Sequence, residues 1–146
     1  MMKTQKIGIV GAGGMAAYHF DGFVQGGAEV AAVADPNPDR AAAFAKPRGI
    51  TRIYQNLGDM LRGLPELAGV SIGTPNKFHK PLTLEALKSG RHVYCEKPPA
   101  LNAGEMTEML DAALESGRLL MFDFNNRARP EAQAMMSYIR SGRAGV

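Results

Sequence analysis

Residues 6–16, KIGIVGAGGMA, set a short apolar run directly against a glycine turn. Ile7, Ile9 and Val10 read as a buried strand. Gly11-Ala12-Gly13-Gly14 reads as the turn, and Met15 to Gln25 reads as a helix. Gly11 permits a turn that a Cβ would hinder. Gly13 lets the backbone come close to a ligand, and Ala16 lets the helix lie close to the sheet. A strand, this turn and a helix in that order put free backbone N–H groups at a helix N-terminus. That end favours negative charge, so a dinucleotide diphosphate is the expected guest.

The second strand, Glu29 to Ala34, ends in Asp35. Asp35 follows the turn by roughly the twenty residues that separate the glycines from a ribose-binding acid. A carboxylate there accepts hydrogen bonds from ribose hydroxyls and repels a 2′-phosphate, which points to NAD, with NADP the alternative. The competing reading is that Asp35 caps the next helix, since Asp-Pro-Asn-Pro is also turn and cap chemistry.

Strand and helix signals then alternate to the end of the chain. Helices are expected over Pro38 to Lys46, from an Asn56 cap to Arg62, over Phe78 to Ser89, from an Asn102 cap to Ser116, and from Pro130 to Arg140. Strands are expected at Arg52–Tyr54, Leu67–Ile72, His92–Cys95 and Leu119–Phe124. This order implies an α/β fold, a doubly wound parallel sheet with helices on both faces. Ligands of such sheets sit beyond the carboxyl ends of the strands. Gly11 to Gly14, Asp35, Thr74 to Asn76, Glu96 to Pro98 and Asn125 to Arg127 therefore share one edge. The 146 residues fit one domain.

Charge excludes some partners. Seventeen Lys and Arg against 14 Asp and Glu give +3, and the basic residues are scattered, so no nucleic-acid partner is expected. No apolar run is long enough to span a membrane, and the N-terminus has no secretory pattern. Cys95 is the only cysteine and is expected to pack in its strand. A cytoplasmic location is the default expectation. No metal site is expected, and Met106, Met109, Met135 and Met136 are read as helix packing.

GAGGMA at 11–16, VADPNPDRA at 33–41, GTPNKFH at 73–79, GRHVYCEKPPA at 90–100 and FNNRARP at 124–130 together resemble the glucose–fructose oxidoreductase/inositol dehydrogenase (Gfo/Idh/MocA) family. The pairing of TPNxxH with a downstream CEKP is the most specific part. The resemblance implies a Rossmann-type NAD(P)-binding domain over 1–146. It also implies a second domain, absent from this chain, that forms most of the substrate pocket and the contacts of a homo-oligomer. It implies hydride transfer between a nicotinamide cofactor and a sugar, a cyclitol or a related hydroxy or carbonyl compound. Lys97 then takes the lysine of the EKP motif, beside the reacting oxygen. The cofactor is implied to lie against Gly11, Ala12, Gly13, Gly14, Met15, Asp35, Arg40, Thr74, Pro75, Asn76, His79, Glu96, Lys97, Asn125 and Arg127. From the residues alone, Asn76 also suits a helix cap and His79 suits packing. The alternative function is a non-catalytic dinucleotide-binding or sensing module.

Overall fold

A computed structural model of the chain describes residues 4–145; the first three residues and residue 146, the two ends of the expected domain, lie outside the described residues. Six parallel strands form one sheet: β1 Lys6–Val10, β2 Glu29–Ala34, β3 Arg52–Tyr54, β4 Gly69–Ile72, β5 His92–Cys95 and β6 Leu120–Phe122. Their spatial order is β3-β2-β1-β4-β5-β6. The order reverses between β1 and β4, where a doubly wound sheet opens its ligand crevice. Two strands are shorter than the sequence suggests. Leu67 is drawn into a turn through its bond to the Leu64 carbonyl, so β4 starts at Gly69. β6 is a three-residue edge strand.

Five helices connect the strands, α1 Ala16–Gln25, α2 Pro38–Ala45, α3 Leu57–Gly63, α4 His79–Lys88 and α5 Ala103–Ser116, and a sixth, α6 Pro130–Arg140, follows β6. Their starts follow from side-chain caps. Asn37 accepts from Arg40 N–H at 3.0 Å, Asn56 from Asp59 N–H at 2.8 Å and Asn102 from Glu105 N–H at 2.9 Å. Glycine in the left-handed region stops α5 at Gly117.

Apolar side chains fill both faces of the sheet. On one face, Ile9, Val30 and Val33 pack with Ala16 of α1 and with Ala41, Phe44 and Ala45 of α2. On the other, Val10, Val70, Ile72 and Val93 pack with Leu57, Met60 and Leu61 of α3 and with Ala86 and Leu87 of α4. Met60 lies so close over β1 that a Cβ on Gly8 would meet its Cε at 2.7 Å. α5 adds Met109, which is fully buried. α6 departs from expectation: none of its residues is buried, and Met135 and Met136 are exposed. It follows the edge strand, where the sheet offers no second strand to cover, so these two methionines do not pack as the sequence suggested.

Backbone bonds carry the strand ends into register beyond the sheet. Gly11 N–H reaches the Ala34 carbonyl, Gly73 N–H that of Val10, Glu96 N–H that of Ile72, and Asp123 N–H that of Cys95. The residues following β1, β4, β5 and β6 are thereby held along one edge.

Candidate cofactor and active site

The glycine turn is built for the place it occupies. Gly11 has φ +92°, and an added Cβ would sit 2.9 Å from the Gly73 carbonyl oxygen. Gly13 is different: a Cβ there would find only that oxygen, at 3.9 Å, and Gly14 has nothing within 4 Å. Met15, at the N-cap of α1, supplies no side-chain acceptor, and the first turn holds no acidic residue. Ala16 N–H turns back to the Gly13 carbonyl at 3.1 Å, and no side chain caps the N–H groups just before it, which are open to an anion.

Asp35 is fixed from two sides. Its Oδ2 accepts from Ala12 N–H at 2.9 Å, and its Oδ1 accepts from Asn37 N–H at 2.8 Å. Arg40 Nη1 lies 3.7 Å from Oδ2. Asn37 caps α2, which leaves Asp35 free of the capping role. A carboxylate has about four acceptor positions, so the two N–H bonds leave capacity for ribose hydroxyls. Asp35 and Arg40 line a cavity of 550 Å³ with Gly11, Gly13, Thr74 and Pro75. Gln55, Asn56, Leu57, Phe78 and Leu82 form much of the rest of its wall.

Two buried polar atoms in the Thr74–Asn76 segment, Thr74 Oγ1 and Asn76 Oδ1, lack a protein partner. The Thr74 residue lines the cavity itself. Asn76 caps nothing; it opens a single 3₁₀ turn, Asn76–Phe78, whose N-cap is Pro75. With the open helix end and the fixed carboxylate, these atoms fit a dinucleotide along the sheet edge. His79 takes the packing role. It is buried, its Nε2 meets the Thr74 carbonyl at 2.8 Å and its Nδ1 that of Pro98 at 2.9 Å. It ties the segment after β4 to the segment after β5.

Lys97 is half-exposed and projects from the end of β5. It shares a cavity of 360 Å³ with Pro98, Pro99, Asp123, Phe124, Asn125 and Arg127. Arg127 also stacks on Phe124, 5.1 Å from the ring centre. Glu96 is buried, accepts from Lys97 N–H through Oε2 at 2.9 Å, and has the same oxygen 3.7 Å from Lys97 Nζ. The sheet edge thus gathers most of the expected residues into two groups, one around Asp35 and one around Lys97, while Met15 lines a third hollow with His19 and Tyr94.

Sequence reasoning missed His19, Ser71 and Asp123. His19 Nε2 donates to Glu96 Oε1 at 3.2 Å and lies 3.6 Å from Asp123 Oδ2. Its Nδ1 is 2.7 Å from Ser71 Oγ. The signal was present for His19, which stands three residues after the sheet-facing Ala16 and so on the same helix face. One ligand atom each from His19, Glu96 and Asp123 lies within 4.8 Å of the others, a grouping with metal-ligand chemistry. Within it, Nε2 is at hydrogen-bond distance from Glu96 Oε1 alone, with Asp123 Oδ2 just beyond that distance. Burial raises the Tyr94 hydroxyl above its usual range, with its hydrogen bond to Asp123 and the charges of Asp123 and Glu96 adding to that. Burial also pushes the Cys95 thiol up to about 12, the neighbouring Thr83 hydroxyl opposing and the Glu96 charge assisting. Cys95 is thus a packed, unreactive thiol, as its place in the strand suggests.

Comparison with known proteins agrees with this geometry. Residues 5–124 match the GFO_IDH_MocA oxidoreductase family, described as having an NAD-binding Rossmann fold. The chain is 34% identical over 143 residues to a D-glucoside 3-dehydrogenase of Escherichia coli, covering 96% of this chain and 40% of that protein. It is likewise 34% identical over 143 residues to an inositol 2-dehydrogenase of Rubrobacter xylanophilus, covering 96% of this chain and 41% of that one. Its fold superposes on the WlbA dehydrogenase of Bordetella pertussis, solved with NADH and UDP-GlcNAcA, with a TM-score of 0.91 at 29% identity. That alignment covers 98% of this chain and 44% of the WlbA chain. The chain therefore spans about two fifths of the length of the curated relatives it matches.

Proposed function

We propose that this chain, which belongs to the Gfo/Idh/MocA family of oxidoreductases, is the NAD-binding part of a dehydrogenase acting on a carbon–oxygen bond of a sugar, a cyclitol or a related compound. The observation that carries the reading is the placement of Asp35 and the glycine turn in one cavity, with Lys97 on the same sheet edge. When bound, the nicotinamide supplies the hydride acceptor or donor. The chain's own residues bind and orient. The N–H groups at Gly13 to Met15 take the diphosphate, Asp35 takes the adenosine ribose, and Thr74 Oγ1 offers a hydrogen bond from the cavity wall.

Lys97 Nζ serves the reacting oxygen. A hydroxyl loses its proton as its carbon loses hydride, so a cation hydrogen-bonded to that oxygen lowers the barrier in both directions. Asn125 and Arg127 border the same cavity and suit contact with polar groups of the substrate or the carboxamide end of the cofactor. Asp35 repels a 2′-phosphate, and Arg40 is already drawn to Asp35, so NAD is preferred over NADP. Residues 1–146 act as one dinucleotide-binding unit. A second domain of the kind the family resemblance implies completes the substrate pocket and the subunit contacts. Among the described residues no helix is long and apolar enough to cross a membrane, and the cytoplasm is the proposed location.

Titration calorimetry with NADH and NADPH tests the binding half, with NADH favoured. Lys97→Ala tests the chemical half in the complete enzyme. Its kcat is expected to fall by about 10²–10⁴, with NADH affinity unchanged. Absence of NADH binding overturns the reading, and unchanged kcat in Lys97→Ala overturns the lysine's role.

A further inference from the structure

The function just proposed leaves one buried histidine unused. His19 sits on α1, the helix that follows the glycine turn, and is 5% exposed. Its ring reaches the ends of three strands. Ser71 Oγ of β4 meets Nδ1 at 2.7 Å, while Glu96 Oε1, after β5, and Asp123 Oδ2, after β6, face Nε2 at 3.2 and 3.6 Å. Both facing groups on Nε2 are acceptors, so the hydrogen is assigned to Nε2. Glu96 divides its two oxygens: Oε1 serves His19, and Oε2 serves Lys97, as acceptor from its backbone N–H at 2.9 Å and 3.7 Å from its Nζ.

We propose that His19 is a positioning residue: by holding Glu96 Oε1 from the cofactor helix, it fixes Glu96 and, through Oε2, sets where Lys97 stands. The chain of contacts joins the helix that takes the diphosphate to the lysine that serves the reacting oxygen. Removal of the Nε2 donor leaves the Glu96 and Asp123 oxygens facing each other within 4.8 Å. Like charges at that range separate. Asp123 retains the Tyr94 hydroxyl as a partner. Glu96 has Lys97 as its remaining partner, so it turns toward the ammonium and draws Nζ back from the cavity.

This inference rests on Lys97 being the lysine of the reacting oxygen, and its test separates the two claims. His19→Gln returns an N–H close to the Nε2 position, whereas His19→Asn returns one only near Nδ1. In the full chain, Lys97 is labelled by reductive methylation and read by peptide mass spectrometry against the exposed Lys46 and Lys77. Asp123 and Arg127 are the other charged groups lining the Lys97 cavity; His19→Asn takes the Nε2 donor from both Glu96 and Asp123, and of these only Glu96 lies within 4 Å of Lys97 Nζ. His19→Asn is expected to slow Lys97 labelling about threefold, because a closer carboxylate stabilises the ammonium, while His19→Gln stays near the parent rate. In a Glu96→Gln background His19→Asn then changes nothing further. In the complete enzyme, His19→Asn lowers kcat about tenfold with unchanged NAD affinity, and His19→Gln restores it. Parent-like labelling in His19→Asn, equal losses in both variants, or a full loss in the Glu96→Gln background each overturn the proposal. If His19→Asn does not fold, Ser71→Ala frees the far side of the ring and is expected to slow labelling about twofold. An unchanged rate there overturns the proposal as well. An enzyme that turns over no polyol defeats the proposed function and leaves the labelling result standing.

Discussion

Gly11 and Gly13 stand two residues apart in one turn, yet their replacement by alanine has opposite consequences. At Gly11 the backbone has φ +92° and the new Cβ meets the Gly73 carbonyl oxygen at 2.9 Å, the carbonyl carbon at 3.0 Å and Thr74 Cγ2 at 3.0 Å. The left-handed backbone alone costs about 1–2 kcal/mol for an L-residue. Crowding against backbone, which cannot swing aside, adds about 1–3 kcal/mol. Gly11→Ala is thus expected to lose about 2–5 kcal/mol, a large part of a typical domain's 5–15 kcal/mol. At Gly13 φ is not positive, and the nearest atom to the new Cβ is 3.9 Å away. The fold tolerates that alanine, and the loss of unfolded-state entropy makes it neutral or stabilising by about 0.4–1 kcal/mol. The methyl group instead occupies space in the cavity where the diphosphate is proposed to lie, so NADH affinity falls about tenfold or more, at least about 1.4 kcal/mol. Urea unfolding followed by circular dichroism gives the first quantity, and titration calorimetry with NADH gives the second. Gly13→Ala binding NADH as tightly as the parent, or Gly11→Ala unfolding at the parent's urea midpoint, would refute the assignment of separate tasks.

Asp35→Ser removes the carboxylate that two backbone N–H groups and Arg40 surround. The ratio of NADPH to NADH affinity is expected to rise at least about tenfold, because Arg40 is released toward a 2′-phosphate, and calorimetry with both cofactors reads it. Cys95 should not react with a thiol reagent at pH 8 until the chain is unfolded, since its thiol is pushed up to about 12. The same shift has a stability sign. The stabilisation is intact below the thiol's ordinary value of 9.0 and is lost as pH rises toward 12, at up to about 1.4 kcal/mol per pH unit. Cys95→Ala should flatten the alkaline slope of urea stability by one proton relative to the parent. Met109→Ala, at the one buried position of α5, should cost about 2–5 kcal/mol, whereas Met135→Ala on the exposed α6 should stay within about 0.5 kcal/mol.

What could be read from the sequence divides along the range of the interaction concerned. The glycine turn and the asparagine caps at Asn56 and Asn102 are local matters. A turn needs its glycine and a cap needs its side chain within three residues, so periodicity and spacing located them. Asp35 shows where local reading stops. Sequence left it between a helix cap and a ribose ligand; the structure removes the cap reading by giving that role to Asn37, and it brings Ala12 N–H, 23 positions away, onto Oδ2. The cluster around His19 lies further beyond local reach. Its partners stand at separations of 52 and 77 residues, and they meet only because the strand order reverses at β1 and β4. No periodicity encodes such a meeting. Its trace in the sequence is indirect: a histidine on the sheet-facing side of α1 and acids closing two apolar strands, at Glu96 and Asp123. A buried polar group needs a partner, so three such groups aimed at one end of a parallel sheet constrain one another. Once the sheet topology is known, contact among the three follows, and His19 thereby joins the site.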